Sequence, residues 1–203
     1  MSEFSSDPNQ LAAEALSNGD ALIELVESLE GASRRSRQAS ASALAVVARE
    51  NAELLIPHIG GLMDGLNRPE AQTRWECIDA LTLLVPFASE ACAAALDDVE
   101  SALFDETNGP VRLSSVRFLC KFGATGPDAS ERVWPLLDEA IQCYHGDLEF
   151  SEMLGAVSEF AIGPISAEVR QALVDRMSFD ATNGKGLAKK KAIQIIESAQ
   201  AAQ

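Results

Sequence analysis

The sequence predicts an all-α fold, an α–α superhelix of about five antiparallel helix pairs preceded by one short helix. Three observations predict it. Apolar residues recur at i, i+3, i+4 and i+7, as in Leu22, Leu25, Val26 and Leu29 and again in Ile78, Leu81, Leu84 and Val85, the spacing of a single buried helix face. Polar or Gly/Pro clusters break these stripes at Gly31-Ala32-Ser33, Asn67-Arg68-Pro69, Asn108-Gly109-Pro110, Gly123 to Pro127, His145-Gly146-Asp147, Gly163-Pro164 and Asn183-Gly184, where the chain turns. The pattern also repeats. Arg37 to Leu44, Arg74 to Leu81 and Arg112 to Leu119 each run from Arg to Leu over seven residues, and the pairs Ala43-Leu44, Ala80-Leu81, Phe118-Leu119, Ala156-Val157 and Ala192-Ile193 follow at intervals of 37, 38, 38 and 36.

In chain order, a short helix near 9–18 covers the first pair. The pairs then fall at about 20–30 with 34–50, 52–66 with 70–87, 89–104 with 110–122, 128–144 with 148–162, and 165–178 with 185–199, each bounded by one of the turn clusters. The repeats thus span about 20–50, 52–87, 89–122, 128–162 and 165–199, within a single domain over 1–203 whose residues 1–8 are expected to be disordered. A chain of 203 residues with 47% hydrophobic side chains can bury one continuous core. Only 5% of residues are aromatic and Ala and Leu are abundant, which suits closely packed helices better than a pleated sheet.

An Arg early in the second helix, followed by small and aliphatic core positions, resembles the HEAT repeat over roughly residues 20–198. The resemblance implies a HEAT/armadillo-like solenoid whose second helices line the concave side. The fourth pair departs from it, with Phe150 and Ser151 near the Arg position, and the fifth has a lysine run instead. The five second helices hold twelve of the sixteen basic residues against eight of the thirty-one acids, a net of +4 that leaves −19 elsewhere. A mildly basic inner face within an acidic shell follows, and the partner expected there is a protein or peptide, acidic in character. The bracing of one repeat to the next is the other use for such arginines.

Within Arg74-Trp75-Glu76-Cys77-Ile78-Asp79, Trp75 and Asp79 stand at i and i+4 beside the core stripe of Cys77, Ile78, Leu81 and Leu84. An aromatic beside a carboxylate offers a stacking surface and an acceptor. Arg117, the aligned residue of the next repeat, is a candidate partner for Asp79. The stretch resembles the Trp-Asp-x-x-Asp helix of the HEAT-like DNA alkylation repair glycosylases, and Leu187-Ala188-Lys189-Lys190-Lys191-Ala192-Ile193 resembles their closing basic helix. That resemblance implies that Trp75 and Asp79 face DNA, with Asp79 supporting cleavage of a cationic base. Where that family places a further tryptophan, this chain reads Leu154-Gly155-Ala156-Val157, and its net charge of −15 opposes approach to phosphates.

The remaining candidates are read as structural. Cys77, Cys92, Cys120 and Cys143 lie 15, 28 and 23 residues apart with no Cys-x-x-Cys pair, so no metal site is expected and the thiols should be reduced and mostly buried. His58 and His145 stand 87 residues apart without a nucleophile or ligand set, and Trp134 fits the apolar stripe of a first helix as core. No phosphate-cradling Gly loop or Ser-centred elbow occurs, and no cofactor is expected. Residues 1–10 read as neither secretion signal nor transit peptide, and no uninterrupted apolar run approaches membrane-spanning length, so no membrane contact and a cytoplasmic location are expected. The leading expectation is a noncatalytic protein–protein interaction scaffold that binds through Trp75, Asp79, Arg74, Arg112, Arg117, Lys121 and Arg37. The alternative is a DNA-binding or lesion-processing relative of the glycosylases.

Overall fold

The structure, a computed structural model, describes residues 7–202, and every regular element among them is helical. The chain divides into two compact units, Met1–Ala102 and Leu103–Gln203. Of the stretch expected to be disordered, residues 1–6 lie outside the described residues. Asp7 and Pro8 are ordered: Asp7 caps the first helix by accepting from the Asn9 amide at 2.9 Å, and Pro8 starts it, where its missing N–H costs nothing.

The N-terminal unit contains α1 (Pro8–Ser17), α2 (Gly19–Ser28), α3 (Arg34–Asn51), α4 (Ile59–Leu66), α5 (Ala71–Cys92) and most of α6 (Leu96–Leu103). Asn18 and Ser33 cap α2 and α3 through their side chains. The first helix of the second pair is not α-helical throughout. Ala52–His58 is a 3₁₀ stretch containing Pro57, and the regular helix starts only at Ile59, because proline removes a donor from the i→i−4 ladder. Helix α5 joins two expected helices: it carries Pro86, and Ala88 leaves helical geometry at φ −147°, ψ 46°, which places the kink within a residue of the predicted break.

The stretch Ala71–Leu103 is long and apolar enough, by length and composition, to cross a membrane, contrary to the sequence expectation that no such run exists. Its kink at Ala88 and its buried Cys77, Ile78, Ala80, Leu81, Leu84 and Val85 make it the central core segment of this unit, packed against α3 and α4. Leu44, Leu55 and Leu62 complete that core. Ser40 of α3 is wholly buried there, and its hydroxyl has no hydrogen-bond partner among the described residues. Ser40→Ala should therefore raise stability by roughly 1 kcal/mol, read as a higher denaturant midpoint at unchanged slope.

The C-terminal unit contains α7 (Gly109–Gly123), α8 (Pro127–Cys143), α9 (Phe150–Ala161), α10 (Ala167–Asn183) and α11 (Gly186–Ala201). Pro110 and Pro127 sit in the first turns of α7 and α8, and Ser166 caps α10 by accepting from the Val169 amide at 3.2 Å. The helix α10 runs five residues beyond the expected end at 178, because the stop signal that matters is Asn183-Gly184. Second helices lie side by side, α7 against α9 and α9 against α11, over a core of Phe118, Leu119, Leu137, Phe160 and Leu173. Phe150, which stood where the fourth repeat lacked its Arg, is part of this core.

Candidate functional site

Helices α3 and α5 pack side by side, and their outward residues form the candidate surface in the N-terminal unit. The buried residues of α5 leave Gln72, Trp75, Glu76 and Asp79 on its outer side, all half-buried. From α3, Ser42 reaches this row: its hydroxyl donates to Glu76 Oε1 at 3.1 Å and accepts from Gln72 Nε2 at 3.1 Å. The sequence reading identified Trp75 and Asp79 but not this polar chain, whose signal is the Ser42–Glu76 separation of about one repeat. Burial pushes the Glu76 carboxyl above its usual range. The Ser42 hydrogen bond opposes that shift, the Asp79 carboxylate adds to it, and Arg49 opposes it.

The arginines expected to make the face basic are largely committed to the next repeat. Arg37 donates through Nε to Glu70 Oε2 at 3.0 Å, pairs through Nη2 with the other Glu70 oxygen, and donates to the Gly31 carbonyl at 2.6 Å. Its hydrogen bond is the largest influence holding the Glu70 carboxyl below the ordinary carboxylate range. Arg112 donates to the Asp105 carbonyl at 2.8 Å and to Asp147 Oδ2 at 2.7 Å, with its guanidinium 4.8 Å from the centre of the Tyr144 ring. Arg117 donates to Glu152 Oε2 at 2.7 Å, across exposed side chains. The separations in these pairs are 33, 35 and 35 residues, close to the repeat itself, so they brace neighbouring second helices. Of the other candidates, Arg74 is half-buried and Lys121 exposed.

The fourth pair, which lacks the repeat's Arg, supplies the acids instead: Asp147 and Glu152 receive Arg112 and Arg117. The same spacing recurs on the other helices. His145 Nε2 lies 2.9 Å from Asp180 Oδ1, 35 residues on, and Arg176 Nη2 donates to Asp138 Oδ2 at 2.9 Å, 38 residues back.

Trp134 is a correction. It is half-buried rather than fully in the core, lining a cavity of about 360 Å³ between α8 and α10, because Val133 and Leu137 occupy the buried side of α8. Cys77, Cys92 and Cys120 are buried free thiols, and burial holds each above its ordinary pKa, Cys92 at about 11; Cys143 is exposed. Among the described residues no three His, Cys, Asp or Glu side chains converge as a metal site would require.

No protein-family model and no curated protein matches the sequence. Solved structures do match. A designed armadillo repeat protein in complex with the peptide (KR)4 superposes at a TM-score of 0.77, with 17% identity over 95% of this chain and 90% of that one. The fold is armadillo/HEAT-like. An engineered protein solved by the Northeast Structural Genomics Consortium covers 99% of this chain and 94% of its own at TM-score 0.74 and 16% identity. The archaeal HEAT-like repeats protein from Thermococcus onnurineus NA1 gives 0.56 at 14% identity, over 96% and 93%. An armadillo/HEAT-like fold accounts for the 36–38-residue period and for the braced arginines. At such identities it carries the architecture and leaves function to the site.

Proposed function

We propose that this protein is a noncatalytic peptide-binding module that takes a basic segment on the α3/α5 face, against Trp75 and the Glu76–Asp79 carboxylates. The observation that carries this reading is a half-buried tryptophan on the outer side of α5 beside two carboxylates, on a face whose Arg37 is already matched by Glu70. With that arginine committed, an acidic partner loses its main attraction and a basic one gains. The N-terminal unit holds seventeen acidic and six basic residues, a net of −11, against −4 for the C-terminal unit; α3, α5 and the Glu70 cap are balanced at five of each, so the excess sits on the other helices and loops of the unit and raises the concentration of cationic segments around it rather than at this face alone. The designed neighbour bound to (KR)4 shows that the same architecture can hold a basic peptide.

The chemistry also fits. A lysine or arginine side chain can lie over the indole face while its charge offsets the carboxylate repulsion at Glu76 and Asp79. The DNA reading would set Arg34, Arg37, Arg112 and Lys189 at phosphates, and two of these, Arg37 and Arg112, are held by carboxylates. A cytoplasmic setting belongs to the same proposal.

The test uses (KR)4 itself. In a Trp134→Phe background Trp75 is the only tryptophan, and titration at low salt should give saturable emission changes that weaken as salt rises. Equal binding of a (DE)4 peptide, or no binding of (KR)4 at low salt, would overturn the reading.

A further inference from the structure

A second surface lies in the C-terminal unit, on first helices. Helices α8 and α10 are neighbours but pack less closely than the adjacent second helices do, and two cavities open along their seam. One, of about 360 Å³, is lined by Trp134, Asp138, Ala172, Asp175 and Arg176. The other, of about 260 Å³, is lined by Ile141, Gln142, His145, Arg176, Phe179 and Asp180. Arg176 borders both, and its paired hydrogen bonds to Asp138 make the bridge between them.

Each cavity has one aromatic wall. Trp134 is half-buried, and Phe179 is 70% exposed, an expensive position for a side chain whose burial would be worth about 2 kcal/mol. No helix of this unit covers either ring to the extent the core rings are covered. Three carboxylates, Asp138, Asp175 and Asp180, line the seam against Arg176 and His145. Arg176 neutralises Asp138 and His145 pairs with Asp180, whereas among the described residues Asp175, one turn from both Gln171 and Phe179, accepts only an amide from Gln171 at 2.9 Å. The seam therefore keeps an acidic excess.

We infer that this seam docks an amphipathic helix of a partner protein, with two apolar residues two turns apart against Trp134 and Phe179 and a basic residue between them facing Asp175. The lining residues of the two cavities on α8 are offset by about seven positions, roughly 10 Å along a helix, which matches i and i+7 on a docked helix. A groove walled by two helices accepts a third by ridge-into-groove packing, and anchors at such spacing are how helices are read in grooves. This surface uses neither Trp75 nor α3 and α5, and its success or failure is separate from the peptide reading above.

The test uses the intact chain and a synthetic amphipathic helix bearing leucines at i and i+7 and lysines at i+3 and i+4, followed by amide chemical shifts. Shifts should concentrate in α8 and α10. Phe179→Ala and Asp175→Lys, both at exposed side chains and checked for retained helicity, should each weaken binding at least about tenfold, and replacing the peptide lysines with glutamates should abolish it. Shifts confined to α3 and α5, undiminished binding by Phe179→Ala, or absence of binding would overturn the proposal. So would self-association of the chain that Phe179→Ala abolishes, since the occupant would then be a second copy.

Discussion

Arg170→Met is expected to destabilise the C-terminal unit by about 3 kcal/mol or more. Arg170 is buried, and its partners are backbone oxygens: Nη1 donates to the carbonyls of Ala161 at 2.9 Å and Ala199 at 3.2 Å, and Nη2 to those of Gly163 at 3.1 Å and Ile165 at 3.5 Å. Two of these carbonyls belong to the last turns of α9 and α11, where helix dipoles favour a cation and terminal carbonyls lack intrahelical donors. One guanidinium thus ties the ends of two second helices to the start of α10. A buried carboxylate partner could be replaced together with its arginine at little cost. Backbone carbonyls cannot, so methionine keeps the stem's packing but leaves acceptors buried without donors. A loss of this size is a large part of a domain's total stability and is read from denaturant unfolding of the full chain. A loss below about 0.5 kcal/mol, the scale of an ordinary surface change, would refute this role.

The second large effect concerns binding. Trp75→Ala should weaken (KR)4 about thirtyfold, the equivalent of roughly 2 kcal/mol for a central aromatic anchor. Because Trp75 stands outside the buried core, the fold should survive, which circular dichroism checks. Trp75→Phe keeps a ring face and should recover part of the affinity. Equal loss in both variants would argue that the indole N–H, and not the ring, makes the contact.

The architecture was legible because a repeat states each local rule several times over. The Arg-to-Leu interval, the turn clusters and the apolar stripes located all five second helices to within a few residues. Where the reading slipped, a proline or an alternative stop intervened: Pro57 turned the start of the second pair into a 3₁₀ stretch, and Asn183-Gly184 ended α10 later than expected. Surface charge was harder to read. Sequence places Arg37, Arg112 and Arg117 on second helices, but whether each meets solvent or a carboxylate depends on a residue 33–35 positions away. That partner could have been sought at the repeat spacing: Glu70, Asp147 and Glu152 all stand there.

Trp134 illustrates the remaining gap. Its neighbours Val133 and Leu137 are both core, and a stripe of apolar residues does not tell which of them turns outward once α8 and α10 part. The loose α8–α10 seam is a tertiary property with no local signal in either helix. Trp75 and Asp79, by contrast, were visible as an i, i+4 pair outside a core stripe, and the structure keeps them on one side of α5.

A charge swap at Asp79 tests the central claim most directly. Asp79→Lys reverses the sign at the middle of the α3/α5 face and leaves the bracing pair of Arg37 and Glu70 in place. The account predicts that the variant loses affinity for (KR)4 by tenfold or more and gains measurable affinity for (DE)4, since like charges at contact range repel and opposite ones attract. Retained (KR)4 affinity in the Asp79→Lys protein, with (DE)4 still unbound, would show that the peptide sits elsewhere and would contradict it.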